Sequence, residues 1–176
     1  MDNVLTIAEE RLNLFAHMAN SACGLSLWCF GMKKQLYTCT CPAEKEFRLF
    51  LDLGQCLDYA IAHGPESHAP ILMSDPIGML WVAECVWHGD DASYLVILGP
   101  VFDAAASLQT LQNCLRGMNL SVSLTATIME KLEQVPILPL STLHQYIKML
   151  HWVLYEETLD VGSCLLYTSP SPRDPK

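Results

Sequence analysis

The sequence of 176 residues is long enough for one domain with a substantial core and too short for two domains of ordinary size. Hydrophobic residues make up 51% of the chain and charged residues 16%, a composition that excludes an intrinsically disordered protein. The formal net charge of −9, without a cluster of lysine and arginine, argues against a nucleic-acid-binding surface in this chain.

The N-terminal segment and the cysteines predict a cytoplasmic protein that does not contact a membrane. The segment 1–11 is acidic and helical in pattern, which differs from a secretory signal. The most apolar long segment, 137–155, contains His144, Lys148 and His151, so we do not expect it to span a membrane. The eight cysteines lie within helix and strand patterns, and we predict that they are reduced and mostly packed.

The first half of the chain predicts a helix, a hairpin and a second helix. Apolar residues recur at helical spacing in the helices, alternate in the strands, and give way to Gly64-Pro65 where the second helix stops. The predicted bounds are 3–20 for the first helix, 25–30 and 35–39 for the strands, and 42–63 for the second helix.

The segment 74–102 predicts a hairpin at the centre of the fold, preceded by a short strand at 70–73. Its predicted parts are a turn at 74–78, a strand at 79–87, a turn at 88–91, and a strand at 93–98 that stops at Gly99-Pro100. Both faces of the first long strand are largely apolar, which predicts that both are covered.

Three helices are predicted after the sheet, the second capped by Ser121 and the third by Ser141. The third helix carries apolar residues at alternating spacings of four and three: Leu143, Ile147, Leu150 and Leu154. This rhythm suits a helix that pairs with a copy of itself, and over so few turns it suits core packing as well. Core packing is the favoured interpretation, and a signalling or dimerisation helix is the alternative.

The element order predicts an α+β fold. Two hairpins separated by a helical crossover, joined in one five-stranded antiparallel sheet with flanking helices and a C-terminal helical segment, are the order of PAS and GAF sensor domains. We therefore divide the chain into a PAS/GAF-like core at 1–118, a helical signalling segment at 119–163, and a tail at 164–176.

The sequence contains none of the motifs that mark phosphate-binding loops, serine hydrolases or zinc proteases. Cys39 and Cys41 are the one close cysteine pair, and with Cys23 and Cys29 they could form a zinc or redox site. Packed or exposed thiols are the favoured interpretation. The histidines are spread singly, so we predict no catalytic residues, no metal site and no cofactor.

Two features of the central strand suggest further roles. Glu84 is a carboxylate in a nearly apolar strand, and we expect it to meet a cation such as Arg48 or Arg116, or to reach water near a sheet edge. The opposite face carries two large aromatic residues around two small ones: Trp81, Ala83, Cys85 and Trp87. This pattern describes either a filled core or a pocket for a small apolar ligand.

Four segments together resemble the N-terminal region of AraC-type helix-turn-helix regulators from Firmicutes. They are DPIGMLWVA (75–83), LGPVF (98–102), VPILPL (135–140) and QYIKMLH (145–151). The resemblance implies a sensory or dimerisation domain that is followed, in intact relatives, by a DNA-binding domain. This chain has no basic region that could be that second domain, so we expect no DNA binding by the fragment itself.

The last residues change in composition, with three prolines within 170–175. The segment 164–174 resembles a translated sequencing-library adapter, which implies that the native chain breaks off near Ser163 and that the tail is disordered. A natural flexible tail is the alternative. The sequence thus predicts a non-catalytic signal-input domain of a truncated regulator, with a small-molecule ligand and a homodimer partner. The alternatives are a ligand-free dimerisation module, or a thiol or metal sensor using Cys39 and Cys41.

Overall fold

A computed structural model describes residues 2–67, 69–160, 162 and 164–168. Its helices are α1 (Asp2–Cys23), α2 (Glu44–Leu53), α3 (Cys56–Ser67), α4 (Leu108–Arg116), α5 (Val122–Leu132) and α6 (Leu140–Tyr155). Its strands are β1 (Leu27–Gly31), β2 (Leu36–Cys39), β3 (Ile71–Ser74), β4 (Leu80–His88), β5 (Asp91–Val101) and β6 (Leu165–Thr168). The α+β class predicted from the sequence is therefore correct.

One mixed sheet with the strand order β2-β1-β5-β4-β3-β6 runs through the molecule. The strands β1 to β5 pair antiparallel throughout, with β4 and β5 at the centre as the two-sided apolar pattern predicts. The sixth strand, β6, pairs in parallel with β3, so the prediction of five antiparallel strands omitted one strand.

The strand β6 lies within the segment predicted to be a disordered tail. Its alternate residues Leu165 and Tyr167 pack against the neighbouring core, and Tyr167 stacks on Tyr59 with ring centroids 4.1 Å apart. The Tyr167 hydroxyl also donates to the Gly54 carbonyl over 3.1 Å. The prediction of disorder is therefore wrong for Leu165–Thr168, because a short alternation of inward and outward side chains is enough to add a strand to the open edge of a sheet. Residues 169–176 lie outside the described residues.

Alternating side chains of the strands contribute to two separate hydrophobic cores, one on each face of the sheet. The α2–α5 core contains Trp28, Trp81 and Ile97 from the sheet and side chains from α2, α3, α4 and α5. The α1–α6 core contains Leu27, Val82 and other sheet residues beneath α1 and α6. The predicted division at residue 118 falls between α4 and α5, whose buried residues share the α2–α5 core, so it is not a division in the packing.

Several boundaries differ from prediction for local reasons. The helix predicted over 42–63 is two helices, because the chain turns at Gly54 and Gln55, where Gln55 adopts φ of 56°. Helix α3 continues through Pro65 to Ser67 instead of stopping at Gly64. Ser121 caps α5 as predicted, with its side chain accepting from the Leu124 amide.

The cap predicted for the last helix is wrong, because α6 begins at Leu140 with Pro139 in the N-cap position and Ser141 inside the helix. The stop predicted at Gly99-Pro100 is also wrong, since β5 continues to Val101. Gly99 makes this continuation feasible: it has φ of 139°, its amide donates to the Ser26 carbonyl, and its own carbonyl accepts from the Trp28 indole over 2.8 Å.

Candidate functional site

The face of β4 predicted as a ligand pocket is filled by protein. Trp81 and Ala83 are fully buried and Cys85 nearly so, all in the α2–α5 core. The Trp81 ring meets Trp28 edge-on at a centroid distance of 5.8 Å. Helix α3 covers Cys85 so closely that a Cβ atom on Gly64 would lie 3.5 Å from the Cys85 Cβ. The filled-core interpretation therefore describes this face, with only Trp87 half-buried at its end.

Asp75 holds the start of this strand, a role that the sequence reading did not assign. Its carboxylate accepts from the amides of Ile77 and Met79 and from the Trp81 indole, at 3.1, 3.0 and 2.9 Å. Complete burial raises the pKa of the Asp75 carboxyl to about 7, and these donors offset part of that rise. An aspartate at the start of a turn, with glycine three residues later, is the sequence signal that could have indicated these hydrogen bonds.

The predicted pairing face of α6 is occupied within the chain. Leu143, Ile147 and Leu150 are fully buried against the sheet and α1, and Leu154 is partly buried beside them. These four residues therefore form core packing, and in this arrangement they are not accessible to a second copy.

The outer surface of α1 and α6, unlike the face that packs on the sheet, contains an exposed groove. Helices α1 and α6 run antiparallel, because Arg11 contacts Glu156 and Phe15 contacts Tyr146, with ring centroids 6.4 Å apart. Between them lies an apolar groove of about 310 Å³, lined by Arg11, Leu14, Phe15, Met18, Met149, Trp152 and Val153. We call this the α1–α6 groove.

The side chains of the α1–α6 groove are exposed to an unusual degree for apolar residues. Leu14 is 62% exposed, Met18 56% and Trp152 49%. The one cation of the groove, Arg11, lies 5.8 Å from the Trp152 ring centroid and pairs with Glu156, so its charge is balanced locally. Contiguous exposed apolar surface of this kind marks interaction sites in soluble proteins.

Glu84 joins the central strand to α6. Its carboxylate pairs with His151 Nδ1 inside the α1–α6 core, where the two side chains are 2% and 6% exposed. The other imidazole nitrogen, Nε2, lies 3.6 Å from the exposed carboxylate of Glu157. The expected partners Arg48 and Arg116, and the expected position near a sheet edge, are wrong, because β4 is a central strand and α6 covers it.

The environment of Glu84 favours its protonated form. Burial raises the pKa of the Glu84 carboxyl to about 7, the hydrogen bond and charge of His151 offset part of the rise, and the charge of Glu157 adds to it. The second carboxylate oxygen of Glu84 has no hydrogen-bond partner within the described part of the chain. Nearby, the Tyr155 hydroxyl donates to the Cys85 carbonyl, a second polar link from α6 to β4.

The predicted cysteine pair lies at the end of β2, which is an edge strand of the sheet. Cys39 and Cys41 are free thiols, and Cys41 lines a cleft of about 170 Å³. Cys23 donates to the Ala19 carbonyl and Cys29 lines another groove, so neither joins the pair. No group of three histidine, cysteine or acidic residues suited to a metal occurs among the residues that the structure describes.

Within the same described residues, no helix is long and apolar enough to cross a membrane. No protein-family model, curated protein or solved structure matches this chain.

Proposed function

We propose that this chain is the non-catalytic signal-input domain of a bacterial transcriptional regulator of the AraC type, and that it acts as a homodimer. One observation supports the proposal most directly: α1 and α6 lie side by side on one face of the sheet and expose the α1–α6 groove on their outer surface. The five antiparallel strands with a helical crossover are the arrangement on which the likeness to PAS and GAF domains rests.

The dimer would form through the α1–α6 groove instead of the buried leucine face. The chain carries a net charge of −9, so two copies can approach only where acidic residues do not oppose each other. The groove meets this requirement, because Arg11 and Glu156 balance and the remaining lining is apolar. Two antiparallel helices from each copy would then pack as a four-helix bundle.

Signal transfer in this proposal passes through α6. His151 and Tyr155 connect α6 to the central strand β4, so a change in the sheet alters how the helix packs. The ligand would bind in the groove of about 480 Å³ between α1 and the strands, where Leu12, Leu27 and Tyr94 lie. Such a ligand can act only if its affinity differs between two arrangements of α6 on the sheet.

The oligomeric state of the purified chain tests the proposal. Light scattering after size exclusion should give twice the mass of 19.6 kDa for the unmodified chain. Met18→Glu should give the monomer, because it places a charge in the α1–α6 groove, whereas the matched control Val122→Glu, on an 88% exposed residue of α5, should remain a dimer. A monomeric unmodified chain, or a Met18→Glu dimer, would overturn the proposal.

A ligand-free dimerisation module is the second candidate, since the groove alone accounts for dimers. A thermal-shift screen of small metabolites separates the two. The signal-input proposal expects stabilisation that is lost in Thr38→Trp, because Thr38 lines the same groove from an exposed position of β2. The ligand-free module expects no stabilisation by any metabolite.

A further inference from the structure

The segment Cys39-Thr40-Cys41 is held so that its two thiols face the same side. Residues two apart in an extended segment point the same way, and Thr40 between them is fixed to β1 twice. The Thr40 amide donates to the Leu27 carbonyl over 3.0 Å, and the Thr40 hydroxyl accepts from the Leu27 amide over 2.9 Å. The two cysteines therefore share one environment, and they hydrogen-bond to each other through their side chains.

The spacing of the two cysteines suits a reversible bond between them. Two residues of extended chain span roughly 6.6 Å, which is near the upper limit of the Cα separation that a disulfide tolerates. The Cys41 amide already approaches the Cys39 sulfur, at 3.2 Å. Forming the disulfide therefore requires the segment to leave the extended conformation, so that the two Cβ atoms come within about 3.8 Å of each other.

The two thiols differ in acidity because their donors differ. The hydrogen bond from the Cys39 thiol, the Ala43 amide and the Ser26 hydroxyl lower the pKa of Cys41 to about 7, while burial and the charge of Glu44 oppose the change. The same Cys39–Cys41 bond, with burial, raises the pKa of Cys39. Cys41 is thus the more acidic of the two thiols, and it lies just before the N-terminal end of α2, where a negative charge is stabilised.

Cys41 is also reachable. It lines the cleft of about 170 Å³ together with Ser26 and Pro42, and the far wall is Val135 and Pro136, which lead into α6. A cleft of this size has room for a hydroperoxide beside Cys41. Other buried cysteines have pKa values shifted in the opposite direction from that of Cys41. Burial raises the pKa of Cys29 to about 11 and that of Cys56 to about 12.

We propose that Cys41 and Cys39 form a peroxide-reactive dithiol, with Cys41 as the attacking thiolate and Cys39 as the resolving thiol. In the first step the Cys41 sulfur bonds to one oxygen of a hydroperoxide and the O–O bond breaks. Sulfur is oxidised by two electrons to a sulfenic acid that keeps this oxygen, and the other oxygen of the hydroperoxide takes up a proton and leaves as water or an alcohol.

In the second step the Cys39 sulfur attacks the sulfenic sulfur of Cys41. The S–S bond forms, the S–O bond breaks, and the hydroxide leaves as water with the proton that Cys39 loses. A thiol reductant reverses the bond. This chemistry is independent of the signal-input proposal, and either can fail without the other.

The sequence offers a simple test by peptide mapping. Trypsin cleaves after Lys34 and Lys45, and the peptide 35–45 contains Cys39 and Cys41 and no other cysteine. The peptide 12–33, with Cys23 and Cys29, is the matched control. The folded, reduced chain is treated with hydrogen peroxide, its remaining thiols are alkylated, and both peptides are weighed by mass spectrometry.

Peptide 35–45 should lose two hydrogen atoms at least about 10-fold faster than peptide 12–33 is oxidised. Its rate should rise with pH to half its maximum near pH 7, as the Cys41 thiolate forms. In Cys39→Ser, a dimedone adduct should accumulate on Cys41, since no resolving thiol remains. Equal oxidation of the two peptides, or a disulfide from either cysteine to another chain, would overturn the proposal. The peptide comparison uses the unmodified chain, so it tests the proposal even if Cys39→Ser does not fold.

Discussion

The two faces of the sheet are built differently. The α2–α5 core combines large aromatic rings with four helices, and its one fully buried carboxylate, Asp75, is surrounded by donors. The α1–α6 core is smaller, holds the Glu84–His151 pair with one carboxylate oxygen left over, and is covered by helices whose outer surface is also apolar. The first face thus fixes the fold, and the second contains the Glu84–His151 pair and the exposed groove on which the proposed function depends.

The largest difference between the faces should appear in two tryptophans. Trp81→Ala removes a fully buried ring from the α2–α5 core and leaves the Asp75 carboxylate without its indole donor, so we expect a loss of about 4 kcal/mol in the free energy of unfolding. Trp152→Ala, in the α1–α6 groove, should cost less than about 1 kcal/mol within one protomer, with both variants made in the monomeric Met18→Glu background so that loss of the proposed dimer contacts is not included. Urea denaturation of both variants at one protein concentration measures this, and equal losses would contradict the comparison.

The backbone of the central hairpin can be tested at Gly99, a glycine of β5 that is crowded by β4. Gly99→Ala should cost about 3 kcal/mol, because φ of 139° is strained for alanine and the new Cβ would lie 2.9 Å from the Leu80 carbonyl oxygen and from the Trp81 ring. Gly89→Ala is the matched control: it also has a positive φ, but nothing lies within 4 Å of its Cβ position. Denaturant midpoints should therefore rank Gly99→Ala well below Gly89→Ala, and the reverse order would show that the crowding at β5 is not limiting.

The α1–α6 face should give the chain a pH-dependent stability. The pKa of Glu84 is about 7 in the folded chain and 4.5 ordinarily, so the folded chain keeps a proton that the unfolded chain releases between these values. The contribution of Glu84 to the free energy of unfolding is therefore fully present below pH 4.5 and should fall by roughly 3 kcal/mol as pH rises toward 7.

Glu84→Gln isolates this contribution, because it keeps a side chain that can bond to His151 without titrating. Asp75, whose pKa is also raised, contributes a fall of the same sign that remains in the variant, and Glu157 and His151 are unchanged. Denaturation of both chains from pH 4.5 to 8 should show a shallower fall for Glu84→Gln. Parallel curves would mean that Glu84 is ionised throughout.

The smallest effect should come from the outermost polar contact. Glu157→Gln removes the charge 3.6 Å from His151 Nε2, on a side chain that is 71% exposed, so its effect on stability should be under about 0.5 kcal/mol. Its useful readout is the midpoint of the pH dependence, which should shift to lower pH because the Glu157 charge helps to raise the pKa of Glu84.

The sequence predicted the central hairpin, its two covered faces and the first hairpin, because alternation and turn residues are local signals. It did not predict the partner of Glu84, because Glu84 and His151 are 67 positions apart in the chain and no local pattern indicates their contact. For the same reason a carboxylate in an apolar strand was assigned to an arginine or to water.

The sequence pattern does not distinguish a pocket or a pairing face from a filled core, because core and interface share one pattern. Spacings of four and three in α6 describe Leu143 and Ile147 equally well in either role, and only the tertiary placement of α1 decides. The exposed residues Met18 and Trp152 carry the better signal for an interface, but their exposure is a property of the fold. The acidity of Cys41 likewise depends on Ser26 and Ala43, which spacing alone does not bring together.

The strand β6 has a consequence for handling the protein. Leu165–Thr168 covers the outer backbone groups of β3, and the Leu165 amide donates to the Pro70 carbonyl over 3.0 Å. A version shortened before residue 164 would leave Ile71–Ser74 as a bare row of donors and acceptors, onto which a strand of another molecule can add. Trimming these last residues to obtain a tidier sample would therefore be expected to make it precipitate.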